Sequence, residues 1–142
     1  MNLSYYYWYF QSVIPERICD EIIKYGKEQN KEMALTGGFG KDNLTKLELK
    51  NIQKKRKSDV VWMNDRWIYK EIQPYIHQAN ASAGWNFEWD FSESCQFTEY
   101  KKGQFYDWHC DSYEEPYNHP ENANTHGKLR KLSMTVSLTD PD

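Results

Sequence analysis

The chain has 142 residues, enough for one domain of ordinary size with a buried core. Its mean hydropathy is −0.96, and no apolar run nears the roughly 20 residues of a membrane helix, so a spanning helix is excluded. A net charge of −3 leaves no global basic field for nucleic acid, although Lys54, Lys55, Arg56 and Lys57 form one local basic cluster, read as a solvated face. Aromatic residues make up 16%, which argues against disorder, since disordered chains are poor in them. The three cysteines, Cys19, Cys95 and Cys110, include no close pair, which speaks against a disulfide framework or a zinc knuckle. The N-terminus lacks a basic region and a cleavage site, so the sequons at Asn2, Asn43 and Asn80 read as chance and the compartment as cytoplasmic.

In chain order, Tyr5–Phe10 is a β-prone aromatic run. Pro15 suits the start of a helix, and Ile18, Cys19, Ile22, Ile23 and Gly26 recur at helical spacing, predicting a helix from 15 to about 30. Residues 31–57 read as loop with some helix; Gly37-Gly38-Phe39-Gly40 lacks phosphate-loop spacing. Val60, Val61 and Trp62 predict a short strand. Asn64 can cap a second helix with a stripe of Trp67, Ile68, Ile72, Tyr75, Ile76 and Ala79, which Pro74 should kink or split.

Beyond Gly84 the period changes from helical to alternating. Phe87, Trp89 and Phe91 predict one strand; the alternation around Gln96, Thr98 and Tyr100 predicts a second. Lys101-Lys102-Gly103 is a turn, 104–111 a third strand, 112–128 a long polar loop, and 129–138 a fourth strand with Leu132, Met134, Val136 and Leu138 on one face. Residues 140–142 read as a turn. Helices come first and an antiparallel β region follows, so the expected class is α+β, with 1–84 as mainly helical support and 85–142 as the β region of one domain.

His109-Cys110-Asp111 carries the sharpest chemical signal. On a strand, His109 and Asp111 share a face about 6.5 Å apart along the backbone while Cys110 faces the other way. An imidazole and a carboxylate are two members of the two-His-one-carboxylate triad that holds Fe(II) with open positions. A bare H-x-D is weak, and for the tripeptide alone a surface His paired with Asp is the better explanation.

The surrounding residues are more specific. Tyr100, the Gly103 turn, Tyr106 and His109-x-Asp111, then a polar loop and Arg130-x-Leu132-Ser133 leading to Leu138-Thr139-Asp140-Pro141, resemble the prolyl 4-hydroxylase-like family of Fe(II)- and 2-oxoglutarate-dependent dioxygenases. The likeness is to its small microbial and phage branch; it covers 94–142 and extends to the opening strand and Pro-Glu helix of 5–25. It implies a double-stranded β-helix, a jelly-roll or cupin-like core, supported by the N-terminal helices. It also implies iron ligation by His109 and Asp111, with no catalytic residue beyond the ligands.

By the same resemblance, Tyr100 matches a position whose hydroxyl contacts 2-oxoglutarate, a core or hairpin aromatic being the other reading, and Ser137 is a second co-substrate contact. Gln96 and Thr98 would line the pocket, Tyr106 and Trp108 would pack or face the substrate, and Arg130 would be a surface or loop-anchoring charge rather than a ligand. The implied activity is hydroxylation by O2 of a protein, peptidyl (prolyl among them) or amino-acid substrate in the cytoplasm, a host's if phage-encoded, with release of succinate and CO2. Ascorbate is a candidate reductant, and neither nucleic acid nor a membrane is an expected partner.

The family's distal His ligand and its 2-oxoglutarate-pairing Arg or Lys lie beyond the Asp-Pro turn. His119 and His126 fall in the polar loop, so the expectation is a C-terminally truncated piece with an incomplete β-helix that is poorly stable and inactive alone. The other class open to this sequence is a non-catalytic, aromatic-rich module binding carbohydrate or peptide.

Overall fold

In the computed structural model, which describes residues 2–29, 32–33, 45, 51, 56–112 and 114–140, the apolar spacing of Ile18, Ile22 and Gly26 produces helix α1 (Glu16–Glu28). The Pro15 carbonyl accepts the N–H of Ile18 at 2.8 Å and of Cys19 at 3.1 Å, and so opens the helix. Ile18 and Ile22 are buried. The second helix, α2 (Arg66–Ser82), buries Ile68 and half-buries Trp67, Ile72, Tyr75, Ile76 and Ala79, the stripe expected from the sequence.

The strands are β1 (Glu32–Met33), β2 (Arg56–Lys57), β3 (Asp59–Met63), β4 (Cys95–Glu99) and β5 (Phe105–Tyr106). They form an antiparallel three-stranded sheet in the order β1-β3-β4 and an antiparallel pair β2-β5. The fold is mixed α+β. The chain divides into two compact units: Met1–Ile23, Asn64–Glu93 and Cys110–Asp142 make the first, Lys24–Met63 and Ser94–His109 the second.

In the second unit β3 is the central strand, and its register sets Val61 opposite Phe97 and Met63 opposite Cys95. Val60, Val61, Met63 and Phe97 are all buried. The last turns of α1 lie on the Phe97 face: a Cβ on Gly26 would stand 2.6 Å from the Phe97 ring, and Lys27 pairs with Glu99 at 3.4 Å. Gly26 is thus required by close approach. Gly26→Ala would gain about 0.5–1 kcal/mol of helix propensity. Overpacking against a buried ring costs about 1–3 kcal/mol, so a net loss of stability is expected in a urea melt.

In the first unit α2 organises the segments around it through its side chains. Gly84, at φ 74°, ends the helix: the N–H of Trp85 reaches the Asn80 carbonyl at 3.1 Å and that of Gly84 the Ala81 carbonyl at 3.1 Å. The Tyr75 hydroxyl donates to the Val13 carbonyl at 2.7 Å, and Phe10 packs on the Tyr75 ring at 5.4 Å. Trp85 Nε1 donates to the Ser4 carbonyl at 2.8 Å.

Several expected elements differ. Residues 5–10 are not a strand: Leu3–Tyr5 form a 3-10 turn capped by the Asn2 side chain, which accepts the Ser4 N–H at 3.2 Å. The cap of α2 is Asp65 rather than Asn64, with no side-chain capping bond, and the helix runs through Pro74 without splitting.

The alternating residues Phe87, Trp89 and Phe91 form no strand. The Asn80 amide occupies both backbone groups of Phe87, accepting its N–H at 3.0 Å and donating to its carbonyl at 2.8 Å. Gln73 then holds Ser92 at 3.2 Å, and Tyr69 donates to the Glu93 carbonyl at 2.9 Å. The segment is fastened to α2 by side chains instead of a ladder.

The third expected strand shrinks from 104–111 to Phe105–Tyr106, and 129–138 carries no ladder among the described residues. Leu132, Val136 and Leu138 are half-buried, but Met134 is exposed. Residues 37–40, 43, 54–55 and 141–142 lie outside the described residues, and Arg56 and Lys57 of the basic cluster form β2.

Candidate functional site

The second unit positions the residues from Cys95 to His109. Gln96 and Thr98 share a face of β4, with Gln96 Nε2 donating to Thr98 Oγ1 at 2.9 Å. Tyr100 follows the strand and is half exposed, at 51%. The next turn needs a left-handed residue, supplied by Gly103 at φ 79°. It is closed by the Gln104 N–H on the Lys101 carbonyl and by Gln104 Oε1 accepting the Lys101 N–H, both at 2.8 Å.

Beyond Tyr106 the chain bends. The Asp107 carboxylate accepts the Trp108 N–H at 2.8 Å, a local bond that competes with strand pairing. His109 folds back over this bend. Its ring stacks on Tyr106 with centroids 3.5 Å apart and planes 15° apart, and its Nδ1 lies 2.8 Å from the Asp107 carbonyl. A carbonyl oxygen only accepts, so Nδ1 is the nitrogen that donates in this contact. Metal-binding histidines are commonly held in this way, with the non-ligating N–H on a carbonyl. Trp108 is fully exposed.

The bend also corrects the expectation for Cys110. Because 107–112 is not a strand, alternation does not set Cys110 on the face opposite His109 and Asp111; Cys110 is exposed.

In the first unit Asp111 is held at two points. Its carboxylate accepts the Ser133 hydroxyl, and its backbone carbonyl accepts Arg130 Nη1 at 2.9 Å. Arg130 forks onto Glu93, with Nε donating at 2.7 Å and Nη2 forming the second bond. Tyr117 lies under the guanidinium at 5.7 Å, and its hydroxyl donates to Glu93 Oε1 at 3.4 Å. The bonds to Glu93 raise the Arg130 pKa further, outweighing partial burial, so the charge is permanent.

Of the two roles expected for Arg130, surface charge or loop anchor, its bond to the Asp111 carbonyl matches the second. The loop it anchors is itself closed by Tyr117, whose N–H reaches the Lys128 carbonyl at 3.0 Å and whose carbonyl accepts the Gly127 N–H at 2.8 Å. Lys128 also donates to Asp90 at 2.7 Å, and that hydrogen bond lowers the Asp90 pKa. His119 pairs with Glu121 at 3.3 Å, while His126 and Ser137 are exposed.

Sequence reasoning missed Glu93 and Ser133 as partners of this region; the motif around Arg130 and Ser133 pointed near them, but Glu93 stands 37 residues from Arg130. Among the described residues no three His, Cys, Asp or Glu side chains gather as a metal site. The donors at 109 and 111, an imidazole and a carboxylate, are of the kinds that Fe(II) takes. Compared with known proteins, the chain matches no family model, no curated protein and no solved structure. Among the described residues, no helix is long and apolar enough to cross a membrane.

Proposed function

We propose that this chain belongs to an Fe(II)- and 2-oxoglutarate-dependent dioxygenase of the prolyl 4-hydroxylase-like type, built on a double-stranded β-helix and acting in the cytoplasm on a protein, peptide or amino-acid substrate. The observation that carries the reading is the His109 ring held through Nδ1 by the Asp107 carbonyl, within the His109-x-Asp111 motif. His109 Nε2 and the Asp111 carboxylate would hold the metal. The hydroxyls of Tyr100 and Ser137 would donate to the 2-oxoglutarate carboxylates, orienting the co-substrate. Gln96, Thr98, Tyr106 and Trp108 would line the substrate side. When bound, iron and 2-oxoglutarate supply the oxidising chemistry, in which O2 hydroxylates the substrate and succinate and CO2 leave.

Calorimetry tests the binding half. Mn(II) stands in for Fe(II) without turning over, and the protein is expressed from its complete reading frame. One Mn(II) per protein is expected, bound more tightly when 2-oxoglutarate is present. Mn(II) binding that is absent, or indifferent to 2-oxoglutarate, would overturn the reading.

A second reading, a non-catalytic module binding carbohydrate or peptide, is favoured by the exposed N-terminal aromatics: Tyr5 at 70%, Tyr6 at 71% and Tyr9 at 74%. Such rings stack on sugar or peptide faces. Quenching of tryptophan fluorescence by a glycan or peptide, with no response to Mn(II) and 2-oxoglutarate, would favour it.

A further inference from the structure

We infer that Arg130 and Ser133 are positioning residues for Asp111, together fixing its backbone and its carboxylate. The inference rests on the reading of Asp111 as a metal ligand and names what orients it.

The fork of Arg130 is planar and rigid, so its bonds are geometrically coupled. Nε and Nη2 engage the Glu93 carboxylate, and Nη1 is thereby directed at the Asp111 carbonyl, 2.9 Å away. Glu93 is itself located by α2, since the Tyr69 hydroxyl donates to its carbonyl at 2.9 Å and Gln73 holds the neighbouring Ser92 at 3.2 Å. Position is thus passed from a regular helix, through residues 92–93 and one guanidinium, to the backbone of an exposed bend.

A second tie closes the same bend, the Ser112 hydroxyl donating to the Arg130 carbonyl at 3.1 Å. Three residues after Arg130, the Ser133 hydroxyl donates to Asp111 Oδ2 and limits rotation of the carboxylate. A lysine at 130 would keep the charge but could not make three bonds in one plane. Glu93 and Arg130 are both more than a third exposed, so the pair adds little stability by attraction alone, and its role is geometric.

The test uses the protein from its complete reading frame and the variants Arg130→Lys, Ser133→Ala and Ser133→Thr, with Mn(II) as the probe in the presence of 2-oxoglutarate. Supporting groups around a metal ligand typically contribute 10–100-fold in affinity. Arg130→Lys and Ser133→Ala should each weaken Mn(II) binding by about tenfold or more and broaden its electron paramagnetic resonance spectrum. Ser133→Thr, which keeps the hydroxyl, should restore both. Wild-type affinity and spectrum in Arg130→Lys and Ser133→Ala would overturn the inference while leaving the metal reading intact.

A metal-free measurement separates the two claims. In the apo protein the Asp111 carboxyl carbon resonance should shift in Arg130→Lys and Ser133→Ala and return in Ser133→Thr. That result in a protein that binds no Mn(II) would keep the positioning device and discard Asp111 as a ligand. An unshifted resonance in all three variants would overturn the positioning device itself.

Discussion

Asp111→Ala, in the protein expressed from its complete reading frame, is expected to lower 2-oxoglutarate-dependent succinate formation by at least about 100-fold. Changes to groups that merely support a ligand already cost 10–100-fold, and loss of the ligand should cost no less. Asp111→Asn separates charge from shape. It keeps the side-chain volume and an oxygen that can accept the Ser133 hydroxyl, and the Arg130 bond goes to the backbone carbonyl and is retained. Its loss should be nearly as large as that of Asp111→Ala if the carboxylate charge is what the metal needs. Cys110→Ala serves as the control: the residue is exposed, and a thiol is not part of the imidazole-carboxylate donor set. Equal losses in Asp111→Ala and Cys110→Ala, with turnover present in the wild type, would remove Asp111 from the ligand set.

Phe97→Ala should be the most damaging single change to the fold. Phe97 is 7% exposed, stands opposite Val61 in the ladder and packs its ring on the bare backbone of Gly26. Removing a buried phenyl ring costs about 3–5 kcal/mol in transfer energy and cavity. With few buried apolar side chains among the described residues, little surrounding mass can collapse into the gap. At a few degrees per kcal/mol for a protein of this size, the melting temperature should fall by roughly 10–20 °C. Val60→Ala, a smaller truncation on the same sheet, should cost less. A Phe97→Ala variant within about 1 kcal/mol of wild type in a urea melt would contradict the packing described for the second unit.

The contrast between these units explains which parts of the molecule could be read from the sequence. Helices α1 and α2 were legible because burial on a helix repeats every third or fourth residue, and Ile18, Ile22, Gly26 and the stripe around Ile68 write that period locally. Strands β3 and β4 were legible too, β3 as a short run of β-branched and aromatic residues and β4 from alternation ahead of a turn. Phe87–Phe91 carries the same alternation and is not a strand, because the Asn80 amide takes the backbone groups of Phe87. That competition is a side-chain bond, which periodicity does not record. The strand expected at 104–111 is cut short by a bond no longer than one residue, between Asp107 and the N–H of Trp108.

For the candidate site, the residue types at 109 and 111 were legible and their surroundings were not. The protonated nitrogen of His109 follows from a carbonyl two residues back, brought there by the bend at Asp107. The partners of Asp111 come from residues 19 and 22 positions away, and those of Arg130 from residue 93. Contacts at such separations are set by the whole fold, and no local pattern announces them.

The central claim is tested most directly by incubating the protein from its complete reading frame with Fe(II), ascorbate, 2-oxoglutarate and O2, without any other substrate, and measuring succinate. Slow succinate formation that requires both Fe(II) and 2-oxoglutarate, and that disappears in His109→Ala, is the expected result. Metal-replete, folded protein that forms no succinate and neither binds nor decarboxylates 2-oxoglutarate would contradict it.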